Sequence, residues 1–275
     1  MSACRGSMAL ESVFRAARSE GRAVLIPYLT LGHPTLERSL TLASSVIEAG
    51  ADVLELGIPF SDPLADGPAI QHAMQTALEQ GASVAACLNL AARLRARHEK
   101  TPLLFMGYLN PILAYGLERF CDACVSAGVD GLIVPDMPPE EGGAIEVRCR
   151  AAGLALVYLL APNTPEERAR MICSRSRGYV YLVSVAGTTG ARDRLPPGLS
   201  GFVERVRGLT DRPLAVGFGI STPEHAAAVA RIADGVIVGS AVVRRCESET
   251  AESDVASFVS TLRAAVGRPA GGGPA

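Results

Sequence analysis

The stretch Asp52–Pro68 reads DVLELGIPFSDPLADGP. Its first half alternates like a strand: Leu54, Leu56 and Ile58 fall on one face, and Val53, Glu55 and Gly57 on the other. The apolar residues around Glu55 predict a strand covered on both faces, which is the habit of a parallel sheet. Glu55 is then a carboxylate sent into an interior. That burial is unfavourable unless a partner or a chemical use compensates for it. The second half brings Ser61, Asp62 and Asp66 into a proline-rich loop, next to the same end of the strand.

Seven further runs share that character: Ala23–Leu29, Leu103–Tyr108, Gly131–Pro135, Leu154–Leu160, Tyr179–Ser184, Pro213–Gly219 and Gly235–Ser240. Helical periodicity fills most of the gaps. Thr35–Gly50 ends in the glycine that a helix C-terminus favours, and Thr222–Ala230 opens with a threonine cap and a proline at the first helical position. Strands alternating with helices imply right-handed parallel crossovers. Eight such strands predict a single (β/α)8 barrel with extra N-terminal and loop helices, whose chemistry lies at the C-terminal strand ends. Glu55 and Asp66 reach that same mouth. A dinucleotide-binding alternative is weak, because Gly217–Thr222 carries only the first two glycines of the fingerprint.

The totals agree. The chain has 275 residues, 48% hydrophobic and 20% charged, with a formal net charge of −2. One barrel domain over 8–266 is expected, between a disordered extension at 1–7 and a disordered tail at 267–275. Translation can begin at Met1 or Met8. The near-neutral balance and the lack of basic runs argue against nucleic acid. No apolar stretch reaches the roughly 18 residues of a membrane span, and Met1–Met8 does not read as a signal peptide, so a cytoplasmic protein is expected. Seven scattered cysteines read as reduced thiols. The Cys121/Cys124 pair reads as packing, and the four histidines lack ligand spacing, so no metal is implied.

Two late segments point to an oxyanion. Gly217–Ser221 (GFGIS) and Val238–Ala241 (VGSA) close the last two strands, where barrels commonly hold phosphate on backbone amides. Gly219, Gly239 and Ser240 are the candidate ligands, with Ser221 available. Tight turns alone are the competing explanation for the glycines. The long connection Ala186–Gly198 reads as a lid hinged at Gly187 and Gly190, and the Gly190 amide can join the phosphate site.

These motifs together resemble the α subunit of tryptophan synthase, from about Met8 to the final helix. The resemblance rests on ELGIPFSDPLADGP (Glu55–Pro68), with PYLTLGHP (Pro27–Pro34), MGYLNP (Met106–Pro111), YVYLVS (Tyr179–Ser184), Gly190, Gly217–Ser221 and the pair Gly239 and Ser240. It implies a lyase that splits indole-3-glycerol phosphate into indole and glyceraldehyde 3-phosphate in tryptophan biosynthesis. It implies Glu55 as the acid and base, and Asp66 as the carboxylate facing the ring nitrogen. Tyr181, Tyr28, Ile70 and Phe218 are implied around the substrate. No cofactor is implied on this chain; pyridoxal phosphate belongs to a partner β subunit, in an α2β2 heterotetramer. Phe60 in the loop Ile58–Pro63 is an apolar candidate for that contact, and Asp62 is read as loop structure or partner contact.

The chain departs from the family pattern at Val185, where arginine is common, and at Thr188, where valine is. A stand-alone indole-releasing lyase and a non-catalytic barrel that activates a β subunit are the alternatives. A helix cap is the plain structural role for Asp66, and core packing is the plain role for Tyr181, Tyr28, Ile70 and Phe218.

Overall fold

In the computed structural model, which describes residues 5–183, 195–217 and 219–267, the alternation seen around Glu55 sorts the whole sheet into two apolar layers. The strands are β1 (Val24–Thr30), β2 (Leu54–Gly57), β3 (Leu103–Met106), β4 (Gly131–Ile133), β5 (Ala155–Val157), β6 (Leu159–Leu160), β7 (Val180–Val183), β8 (Leu214–Gly217) and β9 (Gly235–Val238). Val24, Ile26 and Tyr28 of β1 join Leu104, Ile133, Val157, Tyr181, Ala215 and Ile237 in an inner cluster. Their strand neighbours Leu25, Leu54, Leu56, Phe105, Leu132, Leu182 and Val236 belong to an outer cluster beneath the helices. A strand period of two, with both faces apolar, produces that division.

All strand pairs among the described residues are parallel, in the order β5-β4-β3-β2-β1-β9-β8-β7-β6. The expected strand Leu154–Leu160 is therefore present as two short pieces. It breaks at Tyr158, whose N–H donates to Ser176 Oγ at 3.1 Å instead of to a neighbouring strand. The Tyr158 carbonyl still accepts from Tyr181 N at 3.1 Å. One segment thus pairs with β4 through its first half and with β7 through its second, which closes an eight-staved barrel.

The expected helix over Thr35–Gly50 is Leu36–Glu48, with Thr35 accepting from Arg38 N. The later one is Pro223–Ala230, with Thr222 accepting from His225 N. Extra helices lie at Ser7–Ser19 and in the β2–β3 and β3–β4 connections, as Pro68–Glu79 with Val84–Arg97 and Leu109–Tyr115 with Leu117–Ser126. Cys121 and Cys124 are buried in the last of these. Among the described residues, no helix is long and apolar enough to cross a membrane.

The helix Ser7–Ser19 plugs the N-terminal end of the barrel with Leu10, Phe14 and Ala17. Residues 5–7, expected within the extension, carry structure. Gly6 N donates to Asp130 Oδ1 at 2.9 Å, and the helix starts at Ser7. At the other terminus Gly267, expected in the tail, forms a bridge to Arg22.

Asp130 is fully buried, and its other oxygen accepts from Arg95 Nη2 at 2.5 Å and from Leu103 N at 3.0 Å. One carboxylate thereby ties the N-terminal segment, a helix and a strand together. Removing it strands a buried guanidinium and two backbone donors. Asp130→Ala is expected to destabilise the fold by about 3–5 kcal/mol in denaturant titration; a loss of under about 1 kcal/mol would show that the clamp carries little.

Candidate active site

Glu55 lies on the inward face of β2, opposite Tyr28 of β1 and Leu104 of β3. It is 0% exposed. Oε1 accepts from the Tyr179 hydroxyl at 2.7 Å, while Oε2 has no hydrogen-bond partner among the described residues. Burial raises its pKa from 4.5 to about 8, against a smaller lowering by the Tyr179 hydrogen bond. Glu55 is therefore a neutral acid at pH 7, able to release a proton close to that pH.

Asp66 reaches the same mouth from the loop after β2 and is also buried. Oδ2 accepts from the Tyr108 hydroxyl at 2.7 Å, and Oδ1 has no partner among the described residues. Burial raises its pKa from 3.8 to about 6, with the Tyr108 hydrogen bond opposing the rise. At pH 7 it is predominantly ionised. Capping does not explain its position: the N-cap of the following helix is Gly67, with no side-chain cap bond. The loop is pinned from several sides. Ala65 N donates to the Tyr108 hydroxyl at 3.0 Å, Asp66 N to the Pro63 carbonyl at 3.0 Å, and Gln71 Nε2 to the Asp66 carbonyl at 2.8 Å.

Two further tyrosines complete the interior. Tyr28 and Tyr181 are buried, and both phenols are pushed well above their usual pKa by burial and then by the fields of Asp66 and Glu55. They stay neutral, beside both carboxylates. Glycine makes the room for them. A Cβ at Gly57 would lie 2.0 Å from Tyr28 Oη, and one at Gly217 would lie 2.4 Å from Tyr181 Oη. Neither position tolerates a side chain without moving a buried tyrosine.

The phosphate candidates stand at the adjoining strand ends. Gly219 follows β8 with φ +80°. Gly239 follows β9 and is the N-cap of the short helix Ser240–Val243. It sits beside Ile70 and Tyr28, whose side chains come within 3.6 and 3.8 Å of where its Cβ would be. Ile70 is buried in the inner cluster. Ser221 Oγ and His225 Nδ1 are 3.4 Å apart at the start of the next helix. Phe218, Val185, Gly187, Thr188 and Gly190 lie outside the described residues.

Tyr108 and Tyr179, each holding one carboxylate, were not singled out as site residues from the sequence. The signal for Tyr179 was its spacing of two from Tyr181, which places both on the inward face. Tyr108 offered only its place in MGYLNP. The apolar loop also differs from expectation. Phe60 is half-buried with its ring 5.3 Å from that of Tyr108, whereas Leu64 is 85% exposed. Asp62 is exposed and accepts from Ser61 Oγ at 2.5 Å.

Comparisons with known proteins bear on the family and the fold. The family model described as tryptophan synthase alpha chain matches residues 14–267. The tryptophan synthase alpha chain of Dehalococcoides mccartyi is 48% identical over 242 residues, covering 88% of this chain and 94% of that protein. That of Chloroflexus aurantiacus is 48% identical over 263 residues, covering 94% and 99%. Among solved structures, Mycobacterium tuberculosis tryptophan synthase superposes with a TM-score of 0.89 at 34% identity, covering 94% of this chain and 98% of that one. Tryptophan synthase subunit alpha from Legionella pneumophila gives 0.87 at 37% identity, covering 96% and 99%. The chain belongs to the tryptophan synthase alpha chain family.

Proposed function

We propose that Glu55 and Asp66 carry out the reaction of this family, the retro-aldol cleavage of indole-3-glycerol phosphate to indole and glyceraldehyde 3-phosphate. Protonated Glu55 gives its proton to the ring carbon that bears the glycerol side chain. The ring nitrogen then carries positive charge, which ionised Asp66 stabilises by accepting its N–H. Glu55, now a carboxylate, takes the proton of the adjacent side-chain hydroxyl. The carbon–carbon bond breaks, its electrons return to the ring, and the oxygen is left as an aldehyde. Glu55 ends as it began and moves only protons, and the bond cleavage is redox-neutral, so the step needs no cofactor on this chain; pyridoxal phosphate belongs to the β subunit.

One observation carries this reading. Two buried carboxylates share the mouth with pKa values of about 8 and about 6, so a single pH holds one as an acid and the other as an anion. Each has one oxygen fixed by a tyrosine and the other unpaired among the described residues. Tyr179 and Tyr108 serve as positioning residues. Tyr181, Tyr28, Ile70 and Phe218 line the indole ring, and Gly190, Gly219, Gly239 and Ser240 hold the phosphate through backbone and hydroxyl donors. Six buried, unpaired cysteines among the described residues fit a reducing compartment, and we place the enzyme in the cytoplasm.

Glu55→Gln is expected to abolish cleavage in an indole-release assay while strengthening the fold. In the unfolded chain the carboxyl titrates at its ordinary 4.5, and in the fold at about 8. The folded state binds the extra proton between those values, so wild-type stability falls as pH rises from 4.5 and levels off above 8. The glutamine variant lacks that loss, so its Tm advantage should grow between about pH 5 and about pH 8.5. Retained activity, or a Tm difference that does not change with pH, would contradict the assignment.

We infer that the loop Ile58–Pro63 and the exposed Leu64 beside it dock on a β subunit in an α2β2 complex. An apolar side chain so exposed at an active-site mouth favours a contact role. Leu64→Asp is expected to weaken association by at least about tenfold in sedimentation, since a charge cannot be desolvated cheaply at an interface. The basal lyase rate should stay intact. Failure of the wild-type chain to associate with any cognate β subunit would leave a stand-alone lyase.

A further inference from the structure

The closed, N-terminal end of the barrel carries a cleft of about 810 Å³, opposite the mouth that holds Glu55. Five arginines line it from four elements. Arg15 and Arg18 come from the plug helix, Arg170 from the helix Glu166–Arg175, Arg207 from the helix Leu199–Arg207, and Arg212 from the turn before β8. The chain as a whole is slightly acidic, so this concentration of positive charge is local.

Three carboxylates, Glu11, Asp211 and Asp234, share the lining. Asp234 is already taken by Arg207 and by Leu214 N. Arg170 pairs outward with Glu166, and Arg212 Nε donates to the Cys173 carbonyl at 3.1 Å. Arg15 and Arg18 are exposed, lie one helical turn apart, and make no hydrogen bond or ion pair among the described residues. Arg212 is half-buried, and its pKa is lowered by that burial and by nearby Arg177. Two unpaired guanidinium forks one turn apart, with three more guanidiniums lining the same cleft, match adjacent phosphate groups.

The cleft also touches the catalytic machinery. Phe14 lines it, and the Phe14 ring packs on Tyr179 with centroids 5.5 Å apart. Tyr179 in turn donates to Glu55 at 2.7 Å. Two contacts therefore connect the cleft to the carboxylate that moves the proton.

We propose that this cleft binds a compact polyanion with adjacent phosphates, of the diphosphate class, and that its occupancy alters turnover through Phe14 and Tyr179. The binding half stands by itself, and the coupling half rests on Glu55 being the acid and base. Inorganic pyrophosphate is the probe, titrated calorimetrically into the full chain with glycerol 3-phosphate saturating the mouth. Binding with a Kd below about 1 mM is expected, weakening with added salt. Arg15→Glu combined with Arg18→Glu should weaken it at least about tenfold, and the milder Arg15→Gln with Arg18→Gln should weaken it less, with indole release at basal level in both. No binding, or binding that the charge reversals leave unchanged, would overturn the site. Pyrophosphate should also change kcat at saturating substrate, and Phe14→Leu should remove that change while keeping the binding. A kcat indifferent to bound pyrophosphate would overturn the coupling, whereas failure of the Glu55 assignment would appear separately as an active Glu55→Gln enzyme.

Discussion

The carboxyl of Glu55 is fully buried inside a parallel barrel, and the rest of the site is arranged around that burial. A carboxylate there is unfavourable, so the group keeps its proton to about pH 8. A hydrogen bond from Tyr179 fixes its orientation without ionising it. The barrel supports this arrangement because its inner layer is packed with apolar side chains from its strands. The plug helix adds to that layer, with the Phe14 ring against Tyr179.

Asp66 has the same chemistry in a different setting. It sits in a loop instead of a strand, is closer to the rim, and is raised only to about 6. The loop is pinned to Tyr108, Pro63 and Gln71. Proline rigidity and these bonds allow a loop residue to be placed almost as firmly as a strand residue. Glycines at 57 and 217 are the counterpart inside the barrel, since each leaves the space that a tyrosine hydroxyl fills. A site of two carboxylates and four tyrosines thus depends on missing side chains as much as on present ones.

Much of this was legible in the sequence for definite reasons. Period-two alternation with both faces apolar identified the strands and the inward direction of Glu55, and the Gly50 terminus and the Thr222 cap announced their helices. The break at Tyr158 was not legible, because it depends on Ser176, eighteen residues away, capturing a strand N–H. Tyr179 was visible by parity with Tyr181, but its bond to Glu55 spans 124 residues and is set by barrel closure. Phe60 was the apolar contact candidate of its loop, whereas its tilted ring contact with Tyr108 half-buries it and leaves Leu64 outermost. Local pattern carried what the backbone repeats, and the contacts made by closing the barrel were the part it could not carry.

The central claim is that burial sets the two carboxylates to opposite protonation states across neutral pH. The pH dependence of kcat/KM for indole-3-glycerol phosphate, measured on the wild type and on Tyr179→Phe, tests it most directly. The wild-type profile should rise through about 6 as Asp66 ionises and fall through about 8 as Glu55 loses its proton. Tyr179→Phe removes the hydrogen bond that favours the ionised form, so its falling limb should move to higher pH while the rising limb stays in place. A profile flat from about pH 5 to about pH 9, or an unmoved falling limb in the variant, would contradict the account.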